Sequence, residues 1–271
     1  MISQSKKMTP SEIRSRIRRG EWTVTTSGLC PGYVQANLVI LPAELAAAFR
    51  EFCKRNPQPC PLIEQTKPGA IAPLSAPDAD IRRDVPRYRV YRRGVLVSET
   101  SDLRSLWRAD LVSFLLGCSF TFEAALGRAG ISLRHQEAGT VVPMFVTDRA
   151  CTPAAPFEGP LVVSMRPIPA ARVDEARAIS ARFPESHGAP VHAGDPAVLG
   201  IENLSVPDYG DAVEIRPGEI PVFWACGVTP QAVVERARPE LMVSHAPGHM
   251  FLTDLWAETG PRSAEEERAG S

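Results

Sequence analysis

The sequence is short of cysteine, of net charge and of long apolar runs, and each shortage excludes something. Its 271 residues hold six cysteines with no C-x-x-C pair among them, so neither a disulfide framework nor a finger-like zinc site is expected. The formal net charge is −1, from 30 Lys and Arg against 31 Asp and Glu, which rules out a globally basic nucleic-acid binder. No apolar run approaches the ~20 residues that span a bilayer. The most apolar stretch, Leu111 to Cys118, is far shorter, and the opening MISQSKKMTP lacks the apolar core of a signal peptide. A cytoplasmic protein with no membrane partner is the expectation. There is no G-x-G-x-x-G and no G-x-x-x-x-G-K-[ST], so neither a dinucleotide nor a nucleoside triphosphate is indicated.

What is present is ordinary globular composition: 44% hydrophobic and 23% charged residues. The length suits one large domain or two closely joined ones. Charge is uneven along the chain, with 18 Lys and Arg against 11 Asp and Glu over residues 1–110, and 12 against 20 thereafter. Thr9-Pro10-Ser11-Glu12 carries the signals of a capped helix start. Pro42 to Cys53 reads as a second helix, and Tyr88 to Val97 as a strand pair broken at Arg93-Gly94. Apolar positions from Leu103 to Leu115 fall at helical spacing and predict a helix that Gly117 ends; Phe120 to Arg128 resumes as a short one. Val141–Val146 and Leu161–Met165 read as strands, and Arg172 to Phe183 as a helix. Glu219–Cys226, a helix with Thr229 at its N-cap and Pro230 at its first position, and Leu241–Ser244 form a strand–helix–strand unit. That unit argues for a parallel or mixed sheet with helices on its faces.

Several segments carry candidate chemistry. Gly117-Cys118-Ser119-Phe120-Thr121-Phe122-Glu123 places a thiol, two hydroxyls and a carboxylate around a helix N-terminus, an environment that lowers a thiol pKa. The turn at Gly227–Thr229 follows a strand end and offers helix N–H groups to an anion. Four of the five histidines gather in two Gly/Pro-rich segments, as His187, His192, His245 and His249, with Asp195 beside the first pair. Imidazole suits proton transfer near neutrality. Neither segment is helical, so the His245/His249 spacing is not a helical zinc pair, although a divalent metal held by separate loops stays open. Arg82, Arg83, Arg87 and Arg89 could fork onto a carboxylate or phosphate. Tyr33, Gln35 and Asn37 would line one strand face and could hold an amide or carboxylate.

The segments LCPGYVQANLVILP, NPQPCPLIEQTKPG, DIRRDVPRYRVYRRG, LVSFLLGCSFTFEAAL, HGAPVHAGDP, RPGEIPVFWACGVTPQ and SHAPGHMFLTD resemble the hydro-lyase family that includes D-glutamate cyclase. The likeness runs from about Met8 to Trp256. It implies an α/β fold, a mixed-sheet sandwich with a smaller inserted α+β domain. The expected division is 1–138 with 208–260, an insert at 139–207, and a frayed tail at 261–271. It also implies loss of water from a small amino or hydroxy carboxylic acid, with D-glutamate closing to 5-oxo-D-proline as the leading case; a non-catalytic carboxylate sensor is the alternative. No cofactor is expected.

On this reading His187, His192 and His249 move protons, with Asp195 orienting one of them. Cys118, Glu123 and Cys226 are further candidates for the chemistry, the thiols through a covalent route. Ser119, Thr121, Thr229 and His245 line the substrate site, and Arg149 pairs the substrate's charge. Asp148, beside Arg149, stands where the family more often has Asn.

Overall fold

The computed structural model describes residues 8–257; the tail expected from residue 261 lies outside them. Helix α1 (Pro10–Arg18) starts as the sequence dictates, with Thr9 and Glu12 satisfying each other's backbone N–H groups. It leads to the long strand β1 (Tyr33–Pro42), buried along nearly its whole length, and then to α2 (Ala43–Arg55). Strands β2 (Leu62–Gln65), β3 (Tyr88–Arg92), β4 (Val95–Thr100) and β5 (Leu111–Gly117) follow. Next come α3 (Phe120–Arg128), α4 (Arg134–Ala138), β6 (Met144–Ala150), β7 (Pro160–Pro169) and α5 (Val173–Ala181). The chain ends through β8 (His192–Ala193), β9 (Glu219–Ala225), α6 (Thr229–Ala237), β10 (Met242–His245) and β11 (Phe251–Trp256).

The strands form two open sheets. The first has the order β2-β5-β1-β10-β3-β4, with β11 pairing the N-terminal part of β1; the second has the order β6-β7-β9-β8. The α/β class therefore holds, with helices packed on open sheets rather than a closed barrel. Every strand pairing among the described residues is antiparallel. The expected parallel crossover at the C-terminal strand–helix–strand unit is not made. β9 lies in the second sheet and β10 in the first, so α6 carries the chain from one sheet to the other. For the same reason the second sheet's strands run from residue 144 to 225 and include β9, which the sequence reading grouped with the first domain.

The largest difference from sequence expectation is β5. Leu111–Gly117 is a strand whose seven residues are all buried, not the end of the helix expected over Leu103 to Leu115. A strand covered on both faces needs no alternation, and its continuous apolar run then satisfies helical spacing equally well. One face of the first sheet packs on α2 through Phe49, Phe52, Phe114 and Phe157, with edge-to-face contacts at ring separations of 4.8 and 5.2 Å. The opposite face is covered by the irregular segments 71–87 and 101–107, whose Ile81, Val85 and Leu103 cluster with Tyr88 and Val90 of β3. The second sheet packs α3 and α5 against Trp224 and Ile168.

Candidate functional site

Two strand ends, one from each sheet, meet where a side chain on β1 joins them. Asn37 Nδ2 donates to the carbonyl of Gly117 at 2.6 Å, at the end of β5. Its amide also lies against Gly227, just past the end of β9, where a Cβ would sit 2.0 Å from Asn37 Nδ2. A Cβ on Gly117 would sit 1.6 Å from the carbonyl oxygen of Glu185. Both positions need glycine for close approach rather than for a special backbone angle. The segments that follow, Cys118–Thr121 and Val228–Thr229, open α3 and α6.

Behind this junction lies a buried ion pair. Arg166, in the middle of β7, is fully buried, and Glu123 of α3 is 1% exposed. Arg166 Nε donates to Glu123 Oε1 at 2.8 Å and Nη2 makes a second bond to the same oxygen. Nη2 also donates to Ser119 Oγ and Nη1 to Ser164 Oγ, each at 2.9 Å. The guanidinium lies against both Phe122 and Trp224, 5.4 and 5.3 Å from their ring centroids, which are themselves 5.6 Å apart. Glu123 Oε2 takes a hydrogen bond from Gln136 Nε2 at 2.7 Å and contacts His135 Nε2 at 3.2 Å. Burial alone would raise the Glu123 pKa, but Arg166 and His135 outweigh it and bring it to about 2. Gln136 also lines an open surface cavity of about 460 Å³ between the C-terminal end of α3 and α4.

His187 stands beside this pair. It follows the short turn Pro184–Ser186, whose Glu185 packs on Gly117, and its backbone is left-handed at φ +77. Such a conformation is uncommon for a residue with a side chain. Its Nδ1 lies 2.6 Å from the carbonyl oxygen of Gln58. A carbonyl only accepts, so Nδ1 carries the proton and Nε2 is left with its lone pair. Burial pushes the imidazole pKa down to about 4, and the nearby Arg166 charge adds to the shift. The ring is therefore neutral at pH 7. The Oγ1 of Thr121, Oγ of Ser186 and Oε1 of Gln35 are buried without a hydrogen-bond partner among the described residues.

The expectation of an activated thiol is overturned. Burial pushes Cys118 up to about 12, although the Phe120 N–H partly offsets it, and Cys226 up to about 11. Both thiols stay protonated at neutral pH, since loss of solvation exceeds the pull of the helix start. Thr229 does not cap α6. Val228 occupies the N-cap, and Thr229 Oγ1 instead donates to the Cys226 carbonyl at 2.7 Å and accepts from the Val162 N–H at 3.2 Å.

The structure thus brings together Cys118, Ser119, Thr121, Glu123, His187, Cys226 and Thr229, and adds Asn37 and Arg166. It does not bring the other candidates to them. His192 sits on the edge strand β8, stacked on Phe223, with Nε2 bonded to the Asp195 backbone oxygen at 2.8 Å. The Asp195 carboxylate is occupied in capping the turn at Ala197. Alternation along β10 turns His245 to the face of Val243, away from the face that β1 gives Asn37 and Val39. His249, on the β10–β11 turn, feels the charges of Arg87, Glu99 and Arg89 rather than Arg166. Arg149 is exposed near the β6 end where Ala150 pairs with Pro160, six positions along β7 from Arg166. At about 3.3 Å per residue that is roughly 20 Å.

Arg166 is the residue sequence reasoning passed over. Its signal is present: a charged side chain inside the apolar run LVVSMRPIP is almost never buried without a partner. Among the described residues no group of three or more His, Cys, Asp or Glu side chains is placed to hold a metal ion. No helix among them is long and apolar enough to cross a membrane.

The buried imidazoles make stability depend on pH. An unfolded histidine binds a proton near 6.5, whereas folded His187 and His245 bind one only near 4. Between those values the unfolded state holds more protons, so stability present above pH 6.5 is lost as pH falls to 4. The loss is about 3 kcal/mol for each ring. Glu123, with its pKa lowered from 4.5 to about 2, gives stability present above pH 4.5 that is lost on further acidification. Urea midpoints measured from pH 7 to pH 4 check this, and His187→Gln with His245→Gln is expected to flatten the slope. An unchanged slope in that double variant would contradict the assignment.

Comparison with known proteins gives a consistent picture. The profile of the D-glutamate cyclase family matches residues 112–254. A protein of Rubrobacter xylanophilus named "Putative hydro-lyase" is 61% identical over 245 residues, covering 90% of this chain and 95% of the relative. A protein of the same name from Stutzerimonas stutzeri is 57% identical, covering 92% and 94%. One from Bacillus licheniformis, also named as a hydro-lyase, is 55% identical, covering 92% and 95%. Among solved structures, a nitrogen repressor-like protein from Methanococcus jannaschii covers 90% of this chain and 97% of its own at a TM-score of 0.39 and 7% identity. That likeness is too low to carry an argument.

Proposed function

The chain belongs to the D-glutamate cyclase family of hydro-lyases, and on that premise we propose that it closes D-glutamate to 5-oxo-D-proline with loss of water. The observation that carries the reading is His187: a neutral imidazole, anchored by Nδ1, with Nε2 unpaired, beside the start of α3. In the proposed cycle Nε2 takes a proton from the substrate ammonium, and the freed amine attacks the side-chain carboxyl carbon. One C–N bond forms and one C–O bond breaks. Both protons lost by the ammonium end on the departing oxygen, relayed by the imidazole, so the balance is one water released and no redox change.

The backbone N–H groups of Cys118 and Ser119 are assigned to the oxyanion, since the Thr121 N–H already donates to the Cys118 carbonyl; fixed donors in a dry site stabilise developing charge. Thr121 Oγ1 and the Nη1 hydrogen of Arg166 not used by Ser164 are assigned to the substrate's α-carboxylate. Holding the amine in attack range can itself supply several kcal/mol of the barrier. Glu123, with both oxygens already engaged, positions Arg166 and Ser119 rather than moving protons.

The test is incubation of the purified protein with D-glutamate, L-glutamate and a panel of other small amino and hydroxy acids, with water-loss products followed by chiral chromatography and mass spectrometry. Product from D-glutamate alone, undiminished by a chelator, is the expected result. Water loss only from another acid would move the substrate assignment, and no product from any would overturn the enzymatic reading.

A further inference from the structure

The proline-rich turn from Asn56 to Pro61 supplies one atom to the site, the Gln58 carbonyl oxygen to which His187 Nδ1 donates at 2.6 Å. That contact decides which ring nitrogen keeps its lone pair. Gln58 and His187 are 129 positions apart, so the turn must be held in place against the segment that carries the imidazole. Its prolines cannot hold it by donating, because Pro57, Pro59 and Pro61 have no backbone N–H. Between Pro57 and Pro61 only Gln58 and Cys60 carry one, and the Cys60 N–H closes the turn on the Asn56 carbonyl at 3.0 Å.

Asn56 is the anchor of this turn. It follows the last residue of α2 and is buried. Its Nδ2 donates to the carbonyls of Phe52 and Thr152, each at 2.8 Å, and its Oδ1 accepts from the Thr152 N–H at 2.8 Å. The orientation of the amide follows from these partners, since a carbonyl only accepts and an N–H only donates. Phe52 lies on α2, which packs on the first sheet, and Thr152 lies just beyond β6 of the second. One side chain therefore ties the two layers together at the root of the turn. At its other end the Gly117 N–H donates to the Pro61 carbonyl at 2.9 Å. The Gln58 carbonyl is thus held between two fixed points, Asn56 and the end of β5.

We propose that Asn56 is a positioning residue for the reaction, fixing His187 in its Nδ1–H form through the Gln58 carbonyl. The proposal rests on the reading of His187 as the proton-transfer group. Asparagine is needed because the site asks for two donors and an acceptor at one short reach. Aspartate has the same shape but no donor, so it would set a carboxylate against the Phe52 and Thr152 carbonyls and leave both unpaired. With the turn released, the imidazole loses the acceptor that selects its tautomer. The Nε2–H form, which cannot take a proton at Nε2, then becomes populated.

Nitrogen–proton correlation spectra of the full chain labelled at histidine, taken at pH 7 without substrate, read the His187 tautomer directly, with His187→Gln assigning the signal. The wild type is expected to show the Nδ1–H form alone. Asn56→Asp, its fold checked by circular dichroism, is expected to populate the Nε2–H form. It should also lower kcat on D-glutamate about 10- to 100-fold with KM little changed, the scale of losing a partner that orients a functional imidazole. Gln58→Ala removes the side-chain bond to the Ala189 carbonyl but keeps the Gln58 carbonyl, and should retain both tautomer and kcat. Pro57→Gly loosens the exposed start of the turn with the Asn56 amide in place, and is expected to shift the tautomer the same way. A His187 that stays Nδ1–H in folded Asn56→Asp, or in Pro57→Gly where Asn56→Asp does not fold, would overturn the proposal. So would a shifted tautomer with unchanged kcat. A wild type inactive on every acid fails the reaction itself, while the tautomer, read without substrate, still decides what Asn56 holds.

Discussion

Glu123→Ala is expected to lower the stability of the folded protein by about 3–5 kcal/mol, and Arg166→Ala by a similar amount. The reason is desolvation rather than lost attraction. Arg166 is fully buried and Glu123 nearly so, and each satisfies the other with two hydrogen bonds to one carboxylate oxygen. Removing either leaves a lone charge in a dry interior, together with Ser119, Ser164 or Gln136 stripped of a partner. Replacing both with apolar groups of similar volume, as in Glu123→Leu with Arg166→Met, is expected to recover much of the loss, because no charge then remains unpaired.

The exposed pair Arg104–Asp102 is the control, and its disruption should leave the urea midpoint close to that of the wild type. Urea denaturation of the four proteins measures all of this. A cost under 1 kcal/mol for Arg166→Ala would mean that the clamp does not hold α3 on the second sheet.

His187→Ala is expected to reduce turnover by about 10²- to 10⁴-fold, the usual contribution of a positioned proton-transfer group. His192→Ala and His249→Ala are expected to stay close to wild type, since neither ring reaches the junction at Asn37. Loss of a buried ring also perturbs packing, so the pH profile provides the sharper readout. A base whose pKa is held near 4 by burial remains unprotonated far below neutrality. The acid limb of kcat/KM should therefore fall near pH 4 rather than near 6.5. An acid limb at 6.5, abolished by His192→Ala or His249→Ala instead, would move the base to one of those rings.

These two expectations rest on residues of different legibility. Cys118 to Glu123 announced a helix start with polar side chains, and the helix begins at Phe120 as read. What those side chains do was not legible. Whether a thiol at a helix start is acidic depends on how much water reaches it, and burial at Cys118 reverses the expected direction. The histidines show the same limit. His187 and His192 are five positions apart, yet one points into the protein and the other stacks on Phe223 at a sheet edge. The turn between them sets that difference, and its backbone angles are fixed by packing on Gly117 and pairing with β9.

By itself the sequence determined the local elements whose signals are short-range. These are the capped start of α1, the Arg93-Gly94 hairpin, α3, and the apolar strand β9. Each is decided by propensity, capping or turn chemistry within a few residues, where the chain carries its own instructions. Only the tertiary structure decided that Leu111–Gly117 is a central strand, that β9 and β10 belong to different sheets, and that Arg166 finds Glu123 forty-three positions away. Those outcomes turn on which surfaces lose their water together, and that is a property of the assembled chain rather than of any segment in it.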